Sequence, residues 1–325
     1  MNFFNFLTEN SAKAYINSRE GETKLGESIS YISSFDELEN SSAKYVIFGI
    51  PEDIGIRANL GKPGAASTWE PFLKAFLNIQ HNAYNGNDCV VLGHIKTEHL
   101  QQKAANIEDQ KELGEMLPEI DDMLSEVIQK IVSLGKVPII IGGGHNNSYG
   151  NIKGCSKALD KSINVLNIDA HTDLRTTNFR HSGNGFSYAK KEEFLNYYAM
   201  VGIHQNYTPR YIFDMMNDDK TISYSLLEEY LHLTTIDKLI RFKKAIDFVK
   251  NEFALELDCD AIQNFESSAM TPSGFSINEI RSFINLAKKQ HVHYLHICEA
   301  DAGKNPLVAK ALSYFVSDFI RPQTK

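Results

Sequence analysis

The sequence predicts an α/β fold in which three layers, α/β/α, enclose a mostly parallel central sheet. Two observations support this prediction. Short apolar, β-branched runs recur along the chain and alternate with segments whose apolar residues follow a helical period. The apolar runs are nearly continuous, which is typical of parallel strands that helices cover on both faces.

Seven apolar runs are predicted as strands because each is rich in aliphatic and aromatic residues. In chain order they span residues 45–50, 89–92, 137–141, 163–168, 198–203, 253–257 and 294–298. Three helices have the clearest pattern. Residues 118–134 and 307–320 each carry an apolar stripe, and residues 276–288 begin with a capping box, Ser276 followed three residues later by Glu279.

Residues 1–43 precede the first predicted strand, and we expect them to form an extension that packs on the main body. Residues 44–325 are expected to form a single domain, because the sequence shows no repeat, low-complexity segment or linker. A boundary between residues 145 and 260 would also separate the polar residues described below.

Composition and charge exclude several classes of protein. The 325 residues carry a formal charge of −8, which argues against a surface for nucleic acid or anionic membranes, since both select basic patches. Residues 1–7 lack the basic start of a signal peptide, and no apolar run is long enough to span a bilayer. We therefore expect a cytoplasmic protein.

The four cysteines, Cys89, Cys155, Cys259 and Cys298, are scattered without metal-binding spacing and are expected to be buried free thiols. Cys259 stands between Asp258 and Asp260. On an extended strand it would point to the face opposite both carboxylates, which argues against it as a metal ligand.

Three of the predicted strands lead into residues of the types that bind metals. In chain order these residues are His145, Asp169, His171, Asp173, Asp258 and Asp260. In an open α/β sheet, ligands gather beyond the carboxyl ends of the strands. Three strand ends can therefore deliver two histidines and four aspartates to one place.

Each segment also has a plainer interpretation. Residues 169–173 place their ligands at alternating positions, so an extended backbone would turn all three to one side; the alternative is a solvated loop. Two carboxylates at the end of an apolar strand, Asp258 and Asp260, are costly unless a cation or hydrogen bonds compensate them; the alternative is a surface turn. His145 follows three glycines, and taken alone it fits a structural role better than a catalytic one.

Taken together, the six residues predict a pair of metal ions. Six ligands are too many for one Zn²⁺. Carboxylate and imidazole ligands together suit divalent ions such as Mn²⁺, whereas thiolate ligands are typical of zinc sites and iron–sulfur clusters. Two divalent ions that share carboxylates balance four negative charges with four positive ones. Such a pair, typically about 3.5–4 Å apart, activates a water molecule at neutral pH. The sequence therefore predicts metal-activated hydrolysis.

At these residues the sequence resembles the ureohydrolase superfamily of arginases, agmatinases and formimidoylglutamases. The family's Gly-Gly-x-His turn, Asp-Ala-His-x-Asp motif and Asp-x-Asp strand end match residues 142–145, 169–173 and 258–260 in order and spacing. The resemblance runs from residue 45 to the C-terminus. It implies an arginase-like α/β/α fold and a binuclear manganese centre.

The resemblance also implies roles for individual residues. One Mn²⁺ would be held by His145, Asp169, Asp173 and Asp258, and the other by His171, Asp169, Asp258 and Asp260, with Asp169 and Asp258 bridging. Asp173 would also assist proton transfer. Glu299 resembles the family glutamate that pairs with an amidine or guanidinium group; its alternative is a strand-end ion pair.

The predicted substrate is a small amidino or guanidino amino acid. The residues after the second motif, Leu174 and Arg175, resemble those of formimidoylglutamases, and Arg175 is suited to a substrate carboxylate; its alternative is a surface arginine. Asn59 also resembles formimidoylglutamases, and it lies in the loop at residues 55–65, which resembles the loop at the mouth of the family's site. Ser182 and Asn184 resemble the arginase segment that binds the amino-acid end of the substrate. His181 lies near the position of a family proton-shuttle histidine, but its match is displaced.

The leading hypothesis is a Mn²⁺-dependent formimidoylglutamase that releases formamide and L-glutamate during histidine breakdown. Two alternatives stay open: an arginase or other guanidino-acid hydrolase that releases urea, and a catalytically silent relative that binds metal for structure. A homo-oligomer is also possible, because family members often form trimers or hexamers.

Overall fold

The computed structural model describes residues 1–322. Within that range the chain forms nine strands: β1 Phe4–Phe6, β2 Tyr45–Gly49, β3 Cys89–Ile95, β4 Val137–Ile141, β5 Ile163–Ile168, β6 Leu195–Ile203, β7 Ile222–Leu226, β8 Glu252–Asp258 and β9 His291–Cys298.

The same residues form fourteen α-helices: α1 Glu9–Ala12, α2 Leu25–Ser28, α3 Phe35–Asn40, α4 Ile54–Ala58, α5 Trp69–Phe76, α6 Glu98–Ala104, α7 Gln110–Gly114, α8 Leu117–Ser133, α9 Asn147–Leu159, α10 Gly185–Lys191, α11 Arg210–Asp218, α12 Thr235–Phe248, α13 Ile277–Ala287 and α14 Pro306–Ile320. Five short 3₁₀ helices connect them: Lys13–Tyr15, Ala65–Ser67, Ser182–Asn184, Leu227–Glu229 and Cys259–Ala261.

The strands form one sheet in the order β1-β3-β2-β4-β9-β8-β5-β6-β7. Every neighbouring pair is parallel except β1 with β3, which is antiparallel. The predicted mostly parallel sheet is confirmed. The order also places β4, β9, β8 and β5 side by side in the middle, so that the polar segments after these strands share one edge.

Buried side chains pack on both faces of the sheet. Ile139 and Ile141 of β4 belong to one hydrophobic cluster and Ile140 to another, because successive side chains of a strand point to opposite faces. Both clusters are covered by helices, among them α13 and α14 on one face and α8 and α9 on the other. The predicted three layers follow from this double burial.

All seven predicted strands and all three predicted helices are present, with ends that shift by up to a few residues. The capping box of α13 forms, because Ser276 Oγ accepts from the Glu279 amide at 3.2 Å and the Ser276 amide donates to Glu279 at 2.8 Å. Two edge strands were not predicted. β1 has three residues, and β7 reads Ile-Ser-Tyr-Ser-Leu, which is too polar to stand out as a buried strand.

The first residues add a strand to the sheet, since Phe4 pairs with Ile95 across β1 and β3. The division at residue 43 stays a prediction. All four cysteines are buried and free, as predicted. Among residues 1–322, none of the helices combines the length and apolarity that a membrane crossing requires.

Candidate metal centre

The candidate site lies at the carboxyl ends of the four central strands, β4, β9, β8 and β5. The three predicted ligand segments follow β4, β5 and β8, and Glu299 follows β9. Parallel strands end at the same edge, so the four loops meet there.

His145 lies in a turn that requires glycine. Gly143 has a φ of +73°, and a side chain there would come 2.2 Å from Nδ2 of Asn147. The fully buried Glu52 holds the turn by accepting from the Gly144 amide at 3.0 Å and from Asn147 Nδ2 at 2.7 Å. Burial raises the pKa of Glu52, and these donors offset part of that cost. The turn delivers the His145 ring, fully buried, to the edge of the sheet.

Asp169 and Asp173 come from the loop that follows β5. Asp169 Oδ1 accepts from the amide of His171 at 2.7 Å, which closes a tight turn. Asp173 has a φ of +50°, in the left-handed region that is uncommon for residues other than glycine. The prediction of an extended backbone over residues 169–173 is therefore wrong. A turn, not strand alternation, brings Asp173 against His145.

Asp258 ends β8, and residues 259–261 form a 3₁₀ turn. Asp258 Oδ1 accepts from the Asp260 amide at 2.7 Å, and Asp260 Oδ1 accepts from the Ala269 amide at 3.0 Å. The expectation that Cys259 lies on a strand between them is wrong, because the strand has already ended. Its side chain nevertheless packs in the hydrophobic core, away from the polar cluster.

Four side chains converge in what we call the first cluster: His145, Asp169, Asp173 and Asp258. Nδ1 of His145 lies 2.8 Å from a carboxylate oxygen of Asp173, 3.1 Å from one of Asp258 and 3.2 Å from one of Asp169. The four candidate ligand atoms all lie within 4.8 Å of one another. This is the set that the family resemblance implies for one of the two ions.

The chemistry of the first cluster fits a divalent cation. Burial raises the pKa of Asp258 well above its ordinary value, and the charges of Asp169 and Asp260 raise it further. Neither ring nitrogen of His145 has an aligned hydrogen bond to any of residues 1–322. Buried carboxylates that repel one another around an unpartnered imidazole nitrogen are relieved by a cation that prefers oxygen and nitrogen ligands.

His171 and Asp260 lie beside the first cluster in a looser arrangement. Nδ1 of His171 is 3.7 Å from Asp169 Oδ1 and 3.7 Å from Asp260 Oδ2. Burial lowers the pKa of His171, but its contact with the charge of Asp169, reinforced by the charges of Asp260 and Asp173, raises that pKa to about 10. Asp169 therefore turns one oxygen toward His145 and the other toward His171, as a residue shared by two ions would.

A cavity of about 220 Å³ opens onto these residues. Its lining includes four of the predicted metal ligands, Asp173, Asp258, Asp260 and His171, and four of the predicted substrate residues, Asn59, Arg175, Ser182 and Glu299. Asn59 Nδ2 donates to Ser182 Oγ at 3.1 Å. Among residues 1–322, Arg175 forms no ion pair, so its guanidinium is available to an anionic group.

Glu299 is held rigidly with one oxygen unused. It is 3 % exposed, has a φ of +63°, and accepts from the His145 amide at 2.6 Å through Oε1. Its Oε2 has no partner within residues 1–322. Burial, reinforced by the charge of Asp260, raises the pKa of Glu299 to about 8. An unpaired buried carboxylate oxygen beside a cavity calls for a cationic donor from a ligand.

Two predicted residues are not brought to the cavity. The Asn184 side chain is fully buried and donates to the carbonyls of Thr176 and Phe179 while accepting from Arg180 Nη1. His181 Nδ1 accepts from the amide of Gly183 at 3.1 Å, and burial lowers the pKa of His181 to about 4. The structure thus places both side chains within their own loop and outside the cavity lining.

A buried ion pair anchors that loop. Arg180 forms a bidentate pair with Asp121 of α8, at 2.9 Å for each of two bonds, and it also donates to the carbonyl of Asn146. Its guanidinium lies against the rings of Tyr149 and Tyr188. The pair ties the Ser182 loop to the turn that carries His145.

We expect Asp121→Asn to destabilise the protein by about 3–5 kcal/mol, because it leaves the buried Arg180 charge uncompensated. Urea unfolding measures the change. The adjacent Asp122 is the matched control: its pair with Lys153 is exposed, so Asp122→Asn should cost less than about 1 kcal/mol. Equal effects of the two substitutions would contradict this account of the loop.

Two residues of the site were not predicted from the sequence. Glu52 reaches the His145 turn from 92 residues away, which no local pattern reveals. Tyr207 lines the cavity, and its ring stacks on His171 at 5.2 Å and on His204 at 4.8 Å between centroids. The sequence could have indicated Tyr207, since it follows β6 at the same sheet edge as the other site residues.

Comparison with known sequences places the chain among related proteins. The sequence profile of the arginase family matches residues 43–306. A formimidoylglutamase from Macrococcus caseolyticus is 25% identical over 254 residues, which cover 76% of this chain and 75% of that protein. One from Lysinibacillus sphaericus is 24% identical over 304 residues, covering 90% and 89% respectively.

Solved structures share the fold. A variant of Trypanosoma cruzi formiminoglutamase, crystallised with Mn²⁺, superposes with a TM-score of 0.75 at 20% identity, covering 92% of this chain and 97% of that one. Formimidoylglutamase from Bacillus subtilis superposes with a TM-score of 0.74 at 16% identity, covering 94% and 93%. At such identities the superpositions establish the architecture alone.

Proposed function

This chain belongs to the arginase family, and from that premise we propose that it is a binuclear-metal hydrolase of N-formimidoyl-L-glutamate. Hydrolysis would add water to the amidino carbon and break its bond to the glutamate nitrogen. The products are formamide and L-glutamate. The relatives named above, which carry this activity in their names, support the choice of substrate.

One observation carries the proposal: Glu299, whose Oε2 has no partner within residues 1–322, lines the same small cavity as Asp173 and Asp258 of the first cluster. An amidinium offers parallel N–H donors that suit a carboxylate fork. A silent scaffold has no need of an amidinium-pairing carboxylate at the cavity, so the position of Glu299 favours an enzyme. It also sets the amidino carbon beside the residues proposed to hold metal.

The residues proposed for two Mn²⁺ ions are the first cluster for one, and His171, Asp169, Asp258 and Asp260 for the other. When bound, divalent ions lower the pKa of water and so supply a nucleophile at neutral pH. Manganese itself is supported by the oxygen-and-imidazole donor set and by the Mn²⁺ in the Trypanosoma cruzi structure.

Side chains of the cavity would orient the substrate and transfer protons. Glu299 orients the amidinium, and Asp173, which lines the cavity, accepts a proton and returns it to the leaving nitrogen. Arg175 at the cavity wall suits a substrate carboxylate, with Asn59 and Ser182 beside it. We infer a substrate that carries an amidine at one end and a carboxylate at the other.

An assay on purified protein loaded with Mn²⁺ tests the substrate. We expect formamide and glutamate from N-formimidoyl-L-glutamate, and no urea from arginine at comparable rates. Protein treated with a chelator is the control and should be inactive until Mn²⁺ is restored. Urea release from arginine without turnover of formimidoylglutamate would refute the proposed substrate and favour an arginase.

Other expectations stay predictions. A cytoplasmic location is supported by the buried free thiols, which suit a reducing compartment. The acidic charge argues against nucleic-acid and membrane partners, and the formation of a homo-oligomer has no support beyond the family resemblance.

A further inference from the structure

Three fully buried polar side chains of β8 and β9 form a network beside His145: Glu256, Tyr294 and His296. Glu256 Oε1 accepts from the Tyr294 hydroxyl at 2.7 Å, and Glu256 Oε2 lies 2.5 Å from Nδ1 of His296. The far nitrogen of His296, Nε2, lies 3.3 Å from the carbonyl oxygen of Gly142. None of the three lines the cavity, so the network does not contact a substrate.

Burying these polar side chains at the centre of a sheet costs desolvation free energy. The neighbours of Glu256 on β8, Leu255 and Leu257, are apolar and buried, as is usual for a central parallel strand. A buried carboxylate requires donors to offset its desolvation, and well-packed apolar residues often stabilise a fold as much or more. Stability alone therefore does not account for Glu256.

The position of Glu256 relative to His145 suggests what it does. Nε2 of His145 lies 3.5 Å from Glu256 Oε2, while Nδ1 faces the three carboxylates of the first cluster. A neutral imidazole carries its proton on one nitrogen only. A proton on Nε2 is attracted by the nearby negative oxygen, although the two atoms form no aligned hydrogen bond, whereas the other tautomer would set the Nε2 lone pair close to that oxygen. Glu256 therefore favours the form in which the Nδ1 lone pair points into the first cluster.

We propose that Glu256 is a positioning residue for the metal centre: its buried carboxylate fixes the tautomer and ring orientation of His145, so that Nδ1 is available to a divalent ion. Tyr294 and His296 hold the carboxylate in place from β9. The inference rests on the proposed function only in requiring that the first cluster binds metal. Outer carboxylates that orient a ligating histidine typically contribute about 10–100-fold to metal affinity.

Calorimetric titration of Mn²⁺ into the metal-free chain tests this proposal. We expect Glu256→Gln, which keeps the size of the side chain, to weaken Mn²⁺ binding by about 10–100-fold. Glu229→Gln is the control, since Glu229 pairs with Arg241 and belongs to no group of candidate metal ligands within residues 1–322. It should bind Mn²⁺ as the parent does. Unchanged affinity in Glu256→Gln would overturn the proposal.

Two further measurements separate positioning from a general loss of structure. In a His145→Ala background, Glu256→Gln should cause no additional loss of Mn²⁺ affinity; an equal loss there would show that Glu256 does not act through His145. If Glu256→Gln gives no folded protein, Glu256→Asp replaces it, because it keeps the charge but withdraws it from Nε2. We then expect the same weakening, and unchanged affinity would again refute the role. A parent chain that binds no Mn²⁺ would instead refute the metal centre itself.

Discussion

Asp169→Ala is expected to abolish the bound metal and the hydrolase activity together. Asp169 is fully buried, with one oxygen 3.2 Å from His145 Nδ1 and the other 3.7 Å from His171 Nδ1. Its removal takes a carboxylate from both proposed ions. Metal ions contribute several kcal/mol to transition states of this kind, so we expect kcat/KM to fall by more than about a thousandfold. Elemental analysis of the purified variant, beside the activity assay, measures both losses.

Asp260→Ala is the comparison for Asp169→Ala. Asp260 lies 3.7 Å from His171 Nδ1 but does not belong to the first cluster. Its loss should leave one ion bound where Asp169→Ala leaves none. An Asp169→Ala protein that retains one tightly held ion and near-normal turnover would contradict the proposal that Asp169 is shared.

Glu299→Gln is expected to have the second largest effect, on catalysis without loss of metal. Glutamine keeps the oxygen that accepts from the His145 amide, so the turn should persist. It removes the carboxyl group that a bound amidinium would hold in its charged form. Loss of one partner in a buried charge pair costs about 2–5 kcal/mol, which corresponds to a fall in kcat/KM of roughly 30-fold to several thousandfold.

Steady-state kinetics and metal analysis together test the role of Glu299. We expect the Glu299→Gln protein to contain as much Mn²⁺ as the parent, whereas Asp169→Ala does not. Glu266→Gln provides the control, since Glu266 lies in a loop outside the cavity lining. Near-parental kcat/KM in Glu299→Gln would mean that the amidinium is recognised elsewhere.

Local pattern was sufficient to predict the framework and to place six candidate ligands at one edge of the sheet. Buried parallel strands are apolar on both faces, as the split of Ile139, Ile140 and Ile141 between two clusters illustrates, and such runs stand out in any sequence. Polar residues directly after such runs must lie at one edge of the sheet. That rule places His145 beside Asp258 although 113 residues separate them.

Local pattern failed where the chain turns sharply or where distant residues meet. Asp173 reaches the first cluster through a left-handed backbone, which no alternation rule anticipates for aspartate. Asn184 resembled a substrate contact, but Arg180 draws its side chain inward through a pair with Asp121, 59 residues away. Glu52 accepts from the turn that carries His145, and Glu256 lies 3.5 Å from the His145 ring. Neither residue is distinguished in the sequence from the other acidic residues of the chain.

Anomalous diffraction from crystals grown with Mn²⁺ tests most directly whether these residues build a binuclear centre. We expect two anomalous peaks in each chain at the manganese absorption edge. One should lie among His145, Asp169, Asp173 and Asp258, and the other between His171 and Asp260, with Asp169 in contact with both. A single peak, or manganese bound away from these six residues, would contradict the two-ion centre.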